Sequence, residues 1–297
     1  MGRILVGISS WTEESLLKSG GLYPPDVKSP ADMLRYYALH FPVTEVDSSY
    51  YAMPSRRSVA LWLENTPPGF VFNVKAFSLF TQHPTNFNSL PRVVRSQFGD
   101  LIPHRGRVYV QQLPEQVVDE LWSRFDDAVQ PLATAGKLGA ILFQFPPWFH
   151  PRQENFDYIV KCKEKLGKYR LAVEFRTASW LSEEGRERTL AFLREHGLAL
   201  VCVDEPQGFK SSVPPVAEVT ASFGILRFHG RNAENWERKG VPTTEKFSYL
   251  YSEEELRDWV PKIKRMAEET EEVHVIFKNK HEDFPIRNAL QMRQMLA

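Results

Sequence analysis

Cysteine, surplus charge and long apolar runs are all scarce in this sequence, and each scarcity excludes a class of protein. Only two cysteines occur in 297 residues. Cys162 and Cys202 follow no metal-binding or redox spacing, and Cys202 lies inside an apolar run that is typical of a buried core. We therefore expect a protein of a reduced, cytoplasmic compartment.

The charges balance, with 37 Lys and Arg residues against 37 Asp and Glu residues. Proteins that bind nucleic acid generically carry a basic excess, so the composition argues against such a partner without excluding a small basic pocket. The chain starts with an apolar strand, Ile4 to Ile8, followed by Trp11 and two glutamates. This start fits neither a signal peptide nor a membrane span, and we expect no membrane association.

Familiar catalytic and nucleotide-binding motifs are also missing. No G-x-G-x-x-G, G-x-x-x-x-G-K-[ST], G-x-S-x-G or H-E-x-x-H pattern occurs in the chain. These absences argue against dinucleotide binding, a P-loop, a hydrolase nucleophile elbow and a zinc-protease helix. Any active site must be inferred from the fold.

Eight short segments rich in β-forming residues are spread along the chain and bounded by turn residues. They cover residues 4–8, 43–47, 70–75, 139–145, 171–175, 198–203, 224–229 and 272–278. Segments with helical periodicity separate most of them. Ser252 and Glu255 have capping-box spacing, which predicts a helix that starts there and continues through Met266.

Strands that alternate with helices predict an α/β fold, a (β/α)8 TIM-like barrel forming a single domain over residues 1–297. An open doubly wound sheet is the alternative, but it usually has a glycine-rich turn where this chain has Ser9-Ser-Trp-Thr12. Residues 79–115 interrupt the alternation between the third and fourth strands. We interpret them as an insertion that forms a lid on the carboxyl face, with 105–111 as an additional strand.

In a barrel, every second residue of a strand points into the lumen, and catalytic groups lie at the carboxyl ends of the strands. The helix-facing side must be apolar, so Arg227 and His229 are expected to point inward and Phe228 outward. The same reasoning assigns these residues to the lumen: Glu45, Asp47, Lys75, Gln144, Glu174, Arg176, Asp204, Arg227 and His229. The last strand leaves Lys278 and Asn279 as alternatives.

So many ionisable groups require partners, because an unpaired buried charge costs several kcal/mol. One interpretation is a salt-bridge network that closes the barrel and satisfies itself, with Glu45 in particular as a structural residue. The other is an active site whose charges pair with a ligand, because barrel enzymes carry their catalytic groups at this face.

Motifs in order along nearly the whole chain point to one family. They include Val6-Gly-Ile-Ser-Ser-Trp11, Val43-Thr-Glu-Val-Asp-Ser-Ser-Tyr-Tyr51, Gly139-Ala-Ile-Leu-Phe-Gln-Phe-Pro-Pro147, Ala172-Val-Glu-Phe-Arg176 and Arg227-Phe-His-Gly-Arg-Asn232. With these motifs the chain resembles the DUF72 family (YecE-like proteins), a TIM-barrel group of unknown function. The resemblance implies the barrel and a shared site without an established reaction. Asp47 replaces an Asn that usually ends the family's second strand, and the segment near 84–112 is longer than usual.

Aromatic residues follow several strand ends: Trp11, Tyr50, Tyr51, Trp148, Trp180 and Trp236. Rings beside hydrogen-bonding ions suit a sugar or another planar ligand, and they equally suit packing at the end of a barrel. The turn from Arg227 to Asn232 offers guanidinium and backbone N–H groups to a phosphate or carboxylate. The alternative is that Arg227 and Arg231 pair with Glu174 and Asp204.

The leading hypothesis is a hydrolase or lyase that acts on a small anionic or sugar-like molecule, with no cofactor assigned. Glu174 or Asp204 is expected to act as general base and His229 as its acid/base partner, while Lys75 stabilises developing negative charge. The expected substrate-binding residues are Asp47, Tyr51, Gln144, Arg176, Trp180, Arg227, Arg231 and Asn279.

Two alternatives stay open. A metal-dependent phosphodiesterase or nuclease would hold a divalent metal with four residues from different strands, Asp47, Glu174, Asp204 and His229, although nearby lysines and arginines oppose a cation. A non-catalytic barrel that binds a ligand or a protein would keep its charges as a structural network.

Overall fold

The computed structural model describes residues 1–102 and 106–297. Its strands are β1 (Arg3–Ser9), β2 (Val43–Val46), β3 (Val71–Lys75), β4 (Thr85–Asn86), β5 (Arg107–Val108), β6 (Leu138–Gln144), β7 (Leu171–Glu174), β8 (Ala199–Asp204), β9 (Phe223–Phe228) and β10 (Glu272–Phe277). Eight of them pair in parallel and close a barrel in the order β1-β10-β9-β8-β7-β6-β3-β2. The predicted (β/α)8 fold is confirmed.

Helices surround the barrel. Their bounds are α1 (Glu14–Ser19), α2 (Pro30–His40), α3 (Arg56–Glu64), α4 (Arg92–Phe98), α5 (Glu115–Thr134), α6 (Gln153–Leu166), α7 (Arg186–Glu195), α8 (Thr243–Lys246), α9 (Glu253–Arg257), α10 (Val260–Glu269) and α11 (Phe284–Leu296). Among the described residues, no helix is long and apolar enough to cross a membrane.

The barrel strands match the predicted segments to within one residue at each end. They are easy to recognise because helices cover one face of each strand and lumen side chains cover the other, so nearly all strand residues are buried. All six residues of β8, for example, are buried. This double burial makes a strand easy to find and its inward face hard to identify.

The helix predicted from Ser252 to Met266 is divided in two, so that prediction was wrong. The capping box itself is present: the Ser252 N–H donates to the Glu255 carboxylate at 2.8 Å, and the Glu255 N–H donates to Ser252 Oγ at 3.2 Å. Helix α9 ends at Arg257, and α10 begins at Val260 with Pro261 in its first turn. Proline has no N–H to donate to the preceding turn, which explains the break.

The insertion between β3 and β6 packs onto the barrel's own core. Phe80 stacks on Trp122 of α5 with 3.6 Å between ring centroids, and Leu90 and Val94 are buried in the same apolar cluster. Strands β4 and β5 pair antiparallel, which supports the predicted additional strand at Arg107 and Val108; Arg105, its predicted start, lies outside the described residues. The insertion therefore extends the barrel's core.

Candidate functional site

The register of the sheet identifies the side chains that face the lumen. Val203 of β8, Arg227 of β9 and Ile276 of β10 are neighbours in the parallel ladder and share one side of the sheet. Arg227 reaches across the barrel to Glu45 and Glu174, so this shared side is the lumen. Residues two positions further along each strand point the same way.

Asp204 faces the helices, so its predicted position in the lumen was wrong. It pairs in register with Phe228, and its carboxylate accepts hydrogen bonds from Tyr251 Oη and Trp259 Nε1, each at 2.7 Å. Arg231 completes this group at 2.7 Å from Asp204 Oδ2. The apolar pattern of β8 did not reveal the error, because its residues are apolar on both faces. Asp204 therefore attaches the outer helices to the barrel.

Glu205, one residue further along, has the inward position that was assigned to Asp204. Its carboxylate lies 3.0 Å from Arg176 Nη1 and accepts the Val213 N–H at 2.8 Å. Burial raises the pKa of Glu205 to about 8, because Arg176, which is shared with Glu174, offsets the desolvation only in part. Only the adjacent acidic pair Asp204-Glu205 in the sequence could have pointed to this residue.

We call Glu45, Glu174, Arg227 and His229 the lumen layer. All four side chains are fully buried. Arg227 donates to both carboxylates, Ser9 Oγ donates to Glu45 at 3.3 Å, and Arg176 Nε lies 2.6 Å from Glu174. The two carboxylates are thus balanced by the two guanidinium groups of Arg227 and Arg176.

The electrostatics of the lumen layer favour a fixed arrangement of charges. Burial opposes ionisation of Glu174, but Arg176 and Arg227 hold its pKa well below the usual range. Burial and the nearby Arg176 keep the pKa of His229 well below its usual range, so the imidazole is neutral at pH 7. Glu174 and His229 were predicted as catalytic groups, and the structure places both in a layer without solvent access.

Above this layer, a cavity of about 270 Å³ opens at the carboxyl ends of the strands. We call it the mouth cavity; its lining residues are Asp47, Tyr50, Tyr51, Lys75, Gln144, Pro147, Arg176, Ser211, Trp236, Thr243, Lys246, Phe247, Lys278 and Lys280. Of the predicted site residues, Asp47, Tyr51, Lys75, Gln144 and Arg176 meet here. The described part of the 79–115 insertion contributes no lining residue, so its role as a lid stays a prediction.

Positive charge dominates the mouth cavity. Its lining carries four lysines and one arginine against a single carboxylate, that of Asp47. Asp47 lies 3.1 Å from Lys75 Nζ and 2.7 Å from Lys280 Nζ. Burial opposes ionisation of Asp47, but Lys75, Lys278 and Lys280 together hold its pKa well below the usual range.

The two remaining lysines of the cavity, Lys246 and Lys278, have weaker partners, whereas Arg176 is paired with Glu174 and Glu205. Arg176 and Lys246 lie 5.6 Å and 5.5 Å from the ring centroid of Trp236, so one indole serves two cations. Burial and the proximity of Arg176 lower the pKa of Lys246. Burial lowers the pKa of Lys278 well below its usual range, and Asp47 offsets this effect only in part.

Three other predicted binding residues, Trp180, Asn279 and Arg231, do not line the mouth cavity. Trp180 is fully buried and stacks on Phe175 with 4.1 Å between centroids. Asn279 is also fully buried and donates to the Tyr249 carbonyl at 2.8 Å, which ties β10 to the preceding segment. Arg231 pairs with Asp204 on the helix side. Lys278 and Lys280, which flank Asn279, reach the cavity in its place.

The turn from Arg227 to Asn232 does not offer free anion-binding groups. Gly230 adopts a φ of 85°, and its N–H donates to Tyr251 Oη at 2.8 Å. Arg227 is paired with Glu45 and Glu174, and Arg231 with Asp204 and Glu255. The alternative in which both arginines pair with protein carboxylates is the one observed.

The four residues proposed as metal ligands do not converge. Asp204 faces the helices, Glu174 and His229 are enclosed in the lumen layer, and Asp47 is held between two lysines. Among residues 1–102 and 106–297, no group of three or more His, Cys, Asp or Glu side chains is arranged to hold a metal ion. The phosphodiesterase hypothesis therefore lacks the set of ligands on which it was based.

A larger cleft of about 460 Å³ lies between the start of α3, residues 88–91 and α5. Its charged residues are those of an ordinary surface, since Arg56 is exposed and Arg124 is paired with Glu120 one helical turn away. The concentration of buried charge lies at the barrel mouth, and we therefore take the mouth cavity as the candidate site.

Comparisons with known proteins agree with this architecture. A family model described as "Protein of unknown function DUF72" matches residues 5–297. The protein YunF of Bacillus subtilis is 32% identical over 297 residues, covering 99% of this chain and 94% of YunF. YecE of Escherichia coli K12 is 24% identical over 244 residues, 76% of this chain and 74% of its own length.

Two solved structures of DUF72 family proteins have the same fold. The protein from Thermotoga maritima is 32% identical, with a TM-score of 0.77 and 99% of each chain covered. The protein from Enterococcus faecalis is 29% identical, with a TM-score of 0.79 and coverage of 99% of this chain and 95% of that chain. The likeness extends over the whole barrel, and the names assign no reaction.

Proposed function

The chain belongs to the DUF72 family, and because the description of that family names no reaction, we propose a function from the mouth cavity itself. This cavity binds a small anionic molecule, and the protein acts on that molecule as a hydrolase or lyase. The volume of about 270 Å³ suits a metabolite smaller than a drug-sized ligand, whose sites measure roughly 300–1,000 Å³.

The surplus of positive charge carries this proposal. Four lysines and Arg176 line the cavity with one carboxylate, which Lys75 and Lys280 already share; Arg176 pairs with Glu174 and Glu205, and among the described residues Lys246 and Lys278 form no ion pair. Two unit charges 4 Å apart interact by about 4 kcal/mol at the effective dielectric of a protein surface. An anion in the cavity would replace several repulsive interactions among the cations with attractive ones.

The rim of the cavity extends the proposal to sugar-like anions. Tyr50 and Tyr51 stand on one part of the lining, and Trp236 and Phe247 on another. Rings beside hydrogen-bonding groups are typical of sites for sugars and planar molecules. Gln144, 3.4 Å from Lys75 Nζ, adds an amide that can bond a hydroxyl group.

A thermal-shift titration with inorganic phosphate and with glycerol 3-phosphate tests the binding. A ligand at a hundred times its Kd stabilises the folded state by about 2.7 kcal/mol. Replacing a cavity cation, as in Lys246→Met, should weaken binding about tenfold, which corresponds to about 1.4 kcal/mol. Lys168→Met is the matched control. Lys168 lies in the connection from α6 to β7, at the opposite end of the barrel, and pairs with Asp126 of α5.

Equal binding to the wild type and to Lys246→Met, or no shift with either anion, would contradict the proposal. A non-catalytic binding barrel is the second candidate, and one observation favours it: Glu174 and His229, the predicted acid/base pair, have no access to the cavity. Turnover of a bound anion, followed by product analysis, distinguishes the two candidates.

A further inference from the structure

Lys278 differs from the other lysines of the mouth cavity in its surroundings. Lys278 follows Ile276 by two residues, so its side chain continues the lumen-facing side of β10. The backbone N–H of Lys278 donates to the Phe228 carbonyl at 2.8 Å. The residue is only 6% exposed. Its position is therefore fixed by the end of the sheet.

The Lys278 amine has no carboxylate partner. Within the described part of the chain, Asp47 forms ion pairs with Lys75 and Lys280, and no carboxylate oxygen lies within 4.0 Å of Lys278 Nζ. The Lys278 amine lies over the Phe247 ring, 5.4 Å from its centroid. A buried amine among other cations and beside a phenyl ring is an environment that favours its neutral form.

We propose that Lys278 is an amine nucleophile that forms an imine with an aldehyde or ketone carrying a carboxylate or phosphate group. This inference rests on the proposed function, because it uses the same cavity and the same anionic substrate class. It adds the carbonyl group and the atom that attacks it. The cations Arg176 and Lys246 line the same cavity and would hold the anionic group of the substrate.

The chemistry balances without a further reactant. The lone pair of the neutral Nζ forms a bond to the carbonyl carbon, and one proton moves from nitrogen to oxygen to give a carbinolamine. A second proton, supplied by solvent in the open cavity, then joins the hydroxyl group, the carbon–oxygen bond breaks, and water leaves. The product is a protonated imine, in which the positive nitrogen draws electrons from the substrate and favours cleavage of a neighbouring bond, as a lyase requires.

The burial of Lys278 and its cationic neighbours support a neutral amine at physiological pH. The charged groups that act on it are Asp47, Lys75, Lys280 and Arg227. Three of these four are cations that disfavour a further positive charge, and Asp47 is already shared. Lysines that act as nucleophiles are commonly activated by burial and by neighbouring cations in this way.

Reductive trapping of the imine with cyanoborohydride tests the inference. The full-length protein is incubated with glyoxylate, an aldehyde that carries a carboxylate, and sodium cyanoborohydride then reduces any imine to a stable secondary amine. Peptide mapping by mass spectrometry should find the adduct mainly on Lys278. The adduct should disappear in Lys278→Met and decrease when inorganic phosphate competes, whereas acetaldehyde, which lacks an anionic group, should label Lys278 much less.

Three outcomes distinguish this inference from the proposed function. Labelling of Lys278 no greater than that of the exposed Lys168 would overturn the inference, even if phosphate still stabilises the protein. If phosphate and glycerol 3-phosphate both fail to bind, the proposed function fails first. Lys278→Arg, whose guanidinium group is not a nucleophile, serves as a second variant should Lys278→Met fold poorly. If this variant is still labelled in the wild-type amount, the adduct does not form on Lys278 and the inference is contradicted.

Discussion

Buried charges occupy two adjoining regions of this barrel, the lumen layer and the mouth cavity, and the two regions accommodate them differently. In the lumen layer, the carboxylates of Glu45 and Glu174 are matched by Arg227 and by Arg176. In the mouth cavity, four lysines line a space with the single carboxylate of Asp47. The charges of the lumen layer are matched within the protein, whereas the lysines of the mouth cavity outnumber its carboxylate.

The difference separates charges that are paired within the protein from charges that are paired only in part. Moving a charge out of water costs several kcal/mol, and the cost is recovered only when opposite charges and hydrogen bonds are close. The lumen layer meets this condition through its ion pairs, and within the described residues Glu45 Oε2 and Arg227 Nε are left without a hydrogen bond. The mouth cavity satisfies it only in part, and we infer that its remaining charges are retained for binding.

The largest expected effect on the free energy of unfolding comes from disrupting the ion pairs of the lumen layer. Arg227→Met leaves two buried carboxylates with fewer partners and should lower the free energy of unfolding by about 3–5 kcal/mol. Urea denaturation measures the loss. Adding Glu45→Gln and Glu174→Gln to the same protein should recover part of it, because the uncompensated charges are removed. A loss below about 1 kcal/mol would show that the network contributes little.

An intermediate effect on the free energy of unfolding is expected from substituting Glu205. Its partner Arg176 also pairs with Glu174 of the lumen layer and lines the mouth cavity. The pKa of Glu205 is about 8 in the folded protein and about 4.3 in an unfolded chain, so the folded state binds more protons between these values. Stability should therefore fall as pH rises from about 5 to 8, and Glu205→Gln should remove that slope. Its advantage over the wild type should reach the order of a few kcal/mol at pH 8.

Urea unfolding at several pH values from 5 to 8 checks this prediction. Glu195→Gln is a suitable control, because Glu195 is exposed at the end of α7 and should leave the slope unchanged. Parallel stability curves for the wild type and Glu205→Gln would contradict the assignment of Glu205 to a buried, inward position.

The smallest expected effect has the opposite sign and concerns Lys278. Removing this unpaired amine with Lys278→Met should stabilise the protein by on the order of 1 kcal/mol in phosphate-free buffer. The gain should shrink as pH rises toward about 10.4, since the folded pKa of Lys278 lies below this unfolded value. Thermal or urea unfolding measures both trends.

Lys280→Met offers the matched comparison in the same cavity. Lys280 is paired with Asp47 at 2.7 Å, so its loss should destabilise the protein where the loss of Lys278 does not. Equal destabilisation by both substitutions would mean that Lys278 has a stabilising partner, and would remove the contrast between the two lysines.

Much of the fold could be predicted from the sequence because it depends on local patterns. Apolar runs bounded by turn residues located each barrel strand, and the Ser252–Glu255 capping box located a helix start. The sequence also predicted that Asp47, Lys75, Gln144 and Arg176 meet at the carboxyl face, and they line one cavity there. The break before Val260 was missed, although Pro261 is visible in the sequence.

The candidate site was predicted less well than the fold. Asp204 was assigned to the lumen and Glu205 was overlooked, because β8 is apolar on both faces and its alternation does not reveal which face is inner. Lys246 was not recognised as lining the cavity, and Trp236 was named only as one of several aromatic residues after strand ends, because both belong to the long connection between β9 and β10. The position of such a segment depends on packing far from it in sequence.

The sequence by itself determined where the strands lie and that ionisable residues gather at their carboxyl ends, because buried parallel strands produce continuous apolar runs whatever surrounds them. Only the tertiary structure decided which of two adjacent acids points inward and which cations find a partner. Those outcomes depend on the register and closure of the barrel, which bring Glu45 next to Arg227 across 182 residues of chain. Charge pairing is a property of distances in space, and no local pattern encodes it.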